Sequence, residues 1–486
     1  MSLTSALNTA QSIFNTTGTQ SSVVSNNISN SSNSDYVRRQ AMVTTSLNGA
    51  QVVKISRAQE DALLRQWLKA SAQDSGQQTL LSGLTDLKSV MGGNDYETSP
   101  ATYLSTFQEK LQAFRTSPSS TIAAQSAITA AQDVANSLNN ASKSVQAIRQ
   151  GADKDIATQV STLNTLLAQF KTANDAVKSA TATGGNPADA LDEREKLLKQ
   201  ISSIVGVNTV DRDNGDMALY TTDGTVVFDT IPRTVTFVAQ DTYTAQTTGN
   251  GVYIDGVQLA SGTGSTTSAQ GSLQALLQVR DDIAPTFQSQ LDEIAKSLVS
   301  MFSETDGSTT APGLFVWKTS TGAAGDVPTT TDVIDGISAT ISVNTAVITS
   351  EGGDPMKLRD GSISGLTDLN TTGSSGFSDN LDALYTALGT AQTFSSDAGL
   401  SSNVSIMDYA SNSVGWLEQY RSDATTASEN TSAALSRSTE AYSNETGVNL
   451  DEELTLLLDI EQSYKAGTKI LNAVDEMLKS LLDIAS

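Results

Sequence analysis

The sequence predicts a mainly α-helical chain with β-rich insertions: paired N- and C-terminal helices of coiled-coil character, a helical-bundle body and outer β-rich domains. Three observations carry that prediction. Apolar residues recur at alternating spacings of three and four at both ends of the chain. The same periodicity fills most of the first two hundred residues. From about Val205 it gives way to Asn-Gly and Asp-Gly turns between β-branched runs, which are hairpin signals.

Taken in order, Leu3, Leu7, Ala10, Phe14, Val24 and Ile28 fall on one line, with Thr17 and Ser21 in the remaining places. Such a stripe faces a partner helix. The polar run NNISNSSNSDYVRRQA (26–41) follows and reads as a crossover, because Asn and Ser take turn conformations and satisfy their own backbone. Asn27, Asn30, Tyr36 and Arg39 are its candidate fixing points. Trp67, Leu81, Leu84 and Leu87 belong to a further helix. Leu104, Phe107, Leu111 and Phe114 form a stripe ended by TSPSS, and Ile156 to Val177 a longer one ended by GGNP. These read as core packing between long helices.

Val205 to about Thr267 reads as a β-rich domain. Its DRDNGD (211–216) lacks the ligand spacing of a calcium loop, so a tight turn is expected. Helix returns at Phe287–Phe302 after Pro285. A Gly/Thr-rich, β-like stretch covers 306–376, and helical periodicity resumes at Leu381–Phe394 and from Ile406. Ala424–Tyr442, rich in Ala, Ser and Thr, suits a closely packed helix. The expected domains are therefore 1–35 with 447–486 (inner helical core), 36–204, 271–305 and 377–446 (helical body), 205–270 (outer β-rich domain) and 306–376 (second β-rich insertion).

The C-terminus supplies the partner for the first stripe. Asn449 with Glu452 makes a capping-box-like start. Leu457, Ile460, Tyr464, Gly467, Leu471, Val474, Leu478 and Leu481 then alternate by three and four. Pairing the two ends covers part of each stripe and leaves the remainder for another copy or another protein. Docking of both ends onto the chain's own body is the alternative. A membrane-surface role is disfavoured, because the first helix has no Lys or Arg for lipid headgroups.

Composition narrows the function. Lys and Arg total 29 against 53 Asp and Glu, a net charge of −24 that repels nucleic acid and anionic membranes. There is no Cys and no His, which removes thiol and imidazole catalysis and their metal sites. Carboxylate catalysis stays open in principle. The acids of the first insertion (Asp211, Asp213, Asp223, Asp229, Asp241, Asp255) are scattered and mostly turn-forming. No catalytic residue, metal or cofactor is expected. No apolar run is long enough to span a bilayer, and the first basic residue is Arg38, so no Sec-type signal or membrane insertion is expected either.

Four blocks resemble the flagellar axial family of rod, hook and hook-associated proteins. NNISN with DYVRRQ resembles the family's Asn-Ile-Ala-Asn and Gly-Tyr-x-Arg-Gln runs, with Asp35 where Gly is usual and one extra residue at Arg38–Arg39. The ending GVNLDEELTLLLDIEQSYKAGTKILNAVDEMLKSLL (447–482) is similar to that of the same family. ALDEREKLLKQIS (190–202) and GSLQALLQVRDDIAPTFQSQLDEIAKSL (271–298) look like the hook-associated protein 1 branch. The resemblance implies a structural subunit at the hook–filament junction, exported through the flagellar type III apparatus to the cell exterior. It also implies self-assembly in a tubular or ring structure, with the hook subunit, a second junction protein and an export chaperone on the C-terminal helix as partners. A hook, filament or second junction subunit is the nearest alternative; an adhesin or hydrolase on an axial scaffold is a more distant one.

Overall fold

The computed structural model describes residues 3–46 and 49–485. Helix α1 (Leu3–Ser29) leads into a hairpin of β1 (Arg39–Ser46) and β2 (Gly49–Arg57). Four helices follow: α2 (Asp61–Val90), α3 (Pro100–Thr116), α4 (Thr121–Ala182) and α5 (Ala188–Ile204). Strands β3 (Val207–Asp211), β4 (Met217–Thr221), β5 (Val226–Asp229) and β6 (Ile231–Pro232) form one antiparallel sheet in sequence order. A three-stranded sheet joins β7 (Val235–Thr236), β8 (Tyr253–Ile254) and β9 (Val257–Gln258). Helix α6 (Ser272–Gln278) passes through a π-helical turn, Val279–Ile283, into α7 (Ala284–Met301).

Beyond α7 regular structure is sparse. Strand pairs β10 (Glu304–Asp306) with β11 (Thr309–Ala311) and β12 (Phe315–Val316) with β13 (Ser342–Val343) alternate with the single turns α8 (Ile337–Thr340) and α9 (Lys357–Asp360). Helix α10 (Asp379–Gly389) precedes the pair β14 (Gln392–Thr393) and β15 (Asn403–Val404). The chain ends in two long helices, α11 (Ile406–Thr446) and α12 (Leu450–Ala485). The architecture is mainly α with small antiparallel sheets inserted, as the periodicity predicted.

Three details differ from the sequence expectation. The first two hundred residues are not helical throughout, because β1 and β2 interrupt them. Residues 205–270, expected as one β-rich domain, divide into two separate small sheets. The stretch 306–376 is largely loop, with strands of two or three residues.

Two compact units are built from interleaved stretches. One combines Met1–Asp74, Ser161–Val235 and Thr431–Ser486; the other combines Ser75–Val160 and Thr236–Asn430. In the first, Phe170 meets Phe228 edge-on at 5.0 Å, and Ser202 donates its hydroxyl to the Leu68 carbonyl at 2.8 Å. The DRDNGD segment there is a tight turn, closed by the Arg212 N–H on the Asp216 carbonyl at 2.8 Å, with Asn214 and Gly215 at positive φ.

The second unit holds a continuous core around Phe107, Phe302 and Phe315, whose ring centroids lie 5.3 to 6.0 Å apart. Its irregular segments are tied down by two buried arginines, which satisfy backbone carbonyls there. Arg280, in the π-helical turn, donates to Asp153 at 2.7 Å and to the Asn250 carbonyl at 2.6 Å. Arg149 of α4 donates to the Thr244 and Thr247 carbonyls. The Arg-Asp pair of the 271–298 block is thus a structural anchor for the loop before it. Gly83 is required at its place, since a Cβ there would come within 2.6 Å of the Val279 side chain.

Candidate functional site

Helix α1 uses two of its faces. The predicted stripe meets α12: the Phe14 and Tyr464 rings pack edge-on with centroids 5.0 Å apart, and Gly467 lies against Ile13. Arg38, beyond the end of α1, pairs with Glu452 near the start of α12, so the two helices run antiparallel. Buried on this seam are Ala10, Thr17 and Val24 of α1, and Glu453, Ile460, Gly467 and Val474 of α12. The α12 residues recur every seven positions, as a helix following a partner requires.

The pairing covers only part of the predicted set. Val24, Ile460 and Val474 are buried, while Leu3, Phe14, Ile28 and Leu457 are half-buried. Leu7, Tyr464, Leu471, Leu478 and Leu481 stay 44%, 53%, 39%, 42% and 57% exposed. Leu450, Leu454, Leu456, Leu458 and Met477 add further exposed apolar surface to α12. Exposed apolar residues in this number make α12 a candidate protein-binding element.

The second face of α1 carries the hairpin, through Ser12 and Thr16. Both donate their hydroxyls to the Ala50 carbonyl, Thr16 at 2.7 Å. The sequence stripe did not show this face, because its residues are polar.

The crossover is fixed by Asn27. Its buried side chain accepts the Tyr36 hydroxyl at 2.8 Å and the Arg39 N–H at 3.1 Å through Oδ1, and donates through Nδ2 to the Arg39 carbonyl at 2.9 Å. Three of the four hydrogen-bonding positions of one amide are thereby spent on a single turn. Asn30 acts differently: its Nδ2 donates to the Asn26 carbonyl at 2.9 Å and closes the end of α1. The Arg38 N–H donates to the Thr446 carbonyl at 2.8 Å, tying the crossover to the end of α11.

The Arg39 guanidinium lies over the Tyr36 ring at 4.8 Å and donates to Asp189 at 2.5 Å and Asp192 at 3.0 Å. Arg57 stands directly opposite Arg39 in the hairpin register. Two like charges so placed repel. Asp192 removes that cost by accepting from both, with Arg57 at 2.6 Å, and Arg57 also grips Glu195. Asp189, Asp192 and Glu195 are spaced by three along α5, which puts them on one face. Tyr442 of α11 donates its hydroxyl to Glu195 at 2.6 Å, and Lys199 lies 3.1 Å from the same carboxylate. Burial pushes the Glu195 carboxyl up, but Arg57, Lys199 and Tyr442 together outweigh it and hold the group below its ordinary value. Burial likewise opposes the charge on Arg57, and Glu195 with Asp192 more than offsets it.

Two sequence blocks with no evident connection, DYVRRQ and LDERE, therefore form one lock. Arg57, Tyr442 and the three acids of α5 were not singled out individually; the available signal was the three-residue spacing of the acids beside arginines at both ends of a hairpin. Among the described residues no group of three or more acidic side chains could hold a metal ion, and no helix is long and apolar enough to cross a membrane.

Comparisons with known proteins find flagellar relatives. The family described as the helical domain of flagellar hook-associated protein FlgK matches residues 84–309. The C-terminal family of flagellar basal body rod proteins FlgEFG matches residues 439–484. Flagellar hook-associated protein 1 of Salmonella typhimurium is 26% identical over 45% of this chain and 40% of its own length. The protein of that name from Bacillus subtilis is 20% identical over 83% of this chain and 80% of its own. The chain thus spans less than half of the Salmonella relative it matches. The hook junction protein FlgK from Burkholderia pseudomallei shares the fold at a TM-score of 0.57 and 14% identity, over 78% of this chain and 99% of that one.

The helical body, the antiparallel terminal pair and the C-terminal match to rod proteins make the chain similar to flagellar axial proteins. Within that class the matches support a hook-associated protein of the hook-associated protein 1 type, as the residue blocks implied.

Proposed function

We propose that this chain is a structural subunit of the bacterial flagellum that forms the junction between hook and filament and assembles with its own copies through the terminal helices. The observation that carries the reading is the row Leu471, Leu478 and Leu481, which α1 leaves open along the outer half of α12. Each fully buried Leu contributes about 1.5–3 kcal/mol, so covering this row on assembly offsets the entropy of ordering the chain ends. The role is architectural and needs no catalytic group. Export through the flagellar type III apparatus to the cell exterior, contacts with the hook subunit and a second junction protein, and a chaperone that shields α12 beforehand follow from the same reading.

Removing Leu471–Ser486 tests it. The expected product is a folded, soluble body that neither joins hooks nor binds the chaperone. Normal motility with the shortened chain contradicts the proposal. Localisation in isolated flagella separates the alternatives, since distribution throughout hook or filament points to a different axial subunit.

A further inference from the structure

The hairpin β1–β2 spends one face on α1 and leaves the other open. Met42, which pairs with Lys54 on that face, and the neighbouring Val53 are 53% and 57% exposed. Val53 is the extra residue of a bulge: Met42 pairs with Lys54 and Val43 with Val52, so Val53 has no cross-strand partner. A two-stranded hairpin is marginal unless something packs on it. This one also carries an unusual charge. Residues 36–58 hold Arg38, Arg39, Lys54 and Arg57 and no acid, in a chain of net charge −24. The three arginines are engaged inside the chain, and exposed Lys54 keeps its charge to the outside.

The start of α12 has the opposite character. Leu450, Leu454 and Leu458 are exposed at a spacing of four, which puts them on one side of the helix. Asp451 lies beside them, and α12 as a whole carries eight Asp or Glu against three Lys. Leucine patch and bulged hairpin face are both apolar, both open and opposite in charge.

Resting on the assembly reading above, we infer that the open hairpin face of one copy packs on the Leu450–Leu454–Leu458 patch of the next, with Lys54 set toward Asp451. The two surfaces are different patches of one chain, so the contact is head-to-tail. A head-to-tail contact repeats, giving rings or helical stacks, whereas a self-complementary patch stops at a dimer. The hairpin is then a second assembly element, separate from the exposed row at the end of α12.

The chain has no cysteine, so an engineered pair is free of background. Val53→Cys with Leu454→Cys in the same full-length chain, oxidised mildly after assembly, is expected to yield a ladder of covalent multimers. Val53→Cys alone and Leu454→Cys alone should give none. Lys54→Glu should raise the concentration needed for assembly several-fold, and Asp451→Lys in the same chain should restore it. Particles that form normally without a ladder, a ladder stopping at dimers, or linkage within single chains overturns the inference while leaving the assembly reading standing. Failure of the unaltered chain to associate removes that reading, and this one with it.

Discussion

Single residues in this chain are held by neighbours that settle their charge. Asp192 is the plainest case, because one carboxylate serves two arginines that would otherwise repel across the hairpin. Asp192→Asn removes charge-assisted bonds worth ~1.5–3 kcal/mol each; amide exchange should report loss of protection in the hairpin and in the first turns of α5, with the second unit unchanged. Asp292 shows the reverse balance. It is fully buried and accepts the Gly336 and Ser338 N–H groups at 2.9 Å each and the Ser338 hydroxyl at 2.6 Å. Burial outweighs these bonds and raises its carboxyl to about 6 from an ordinary 3.8. A carboxyl raised on folding binds its proton more tightly in the native state, so its stabilising contribution is complete below pH 3.8 and is lost as pH rises through about 6. The stability difference between the native chain and Asp292→Asn should therefore shift in favour of the native chain on going from pH 8 to pH 5. Denaturation midpoints at the two values measure it, and a difference independent of pH contradicts this assignment.

At the scale of elements, what was legible in the sequence followed periodicity and what was not legible was polar. The stripes of α1 and α12 were visible because their apolar residues recur every three or four positions. The Ser12–Thr16 face of α1 was hidden, since hydroxyls binding the Ala50 carbonyl leave no hydrophobic signal. The hairpin has a short signal of its own, an Asn-Gly pair at 48–49 between the β-branched runs MVTT and QVVKI, set between two long helical stripes. The Thr and Gly content of 306–376 predicts strand, yet side chains bind backbone groups there instead, as the Glu304 carboxylate does the Ile363 and Ser364 N–H groups. Among crossover residues, Asn27, Tyr36 and Arg39 come together and Asn30 only closes its helix. Gly467 decides how closely the terminal helices approach, because a Cβ there would lie 2.9 Å from the Ile13 side chain. Gly467→Val should pry the seam apart, seen as faster amide exchange along α1 with the helical body unaffected.

In the whole molecule, α1 and α12 pair with each other and still leave an apolar row open, which supports the proposed assembly with other copies. A substitution in the open row separates folding from assembly. Leu478→Asp places its charge on a surface already 42% exposed, so the lone chain should keep its melting temperature while assembly, followed by sedimentation, is abolished. We propose that another copy covers this row. Amide exchange compared between the lone chain and the assembled particle tests it most directly. Leu471–Leu482 should exchange rapidly in the lone chain and become protected on assembly together with α1. Full protection of both ends in the lone chain, unchanged on assembly, would contradict it.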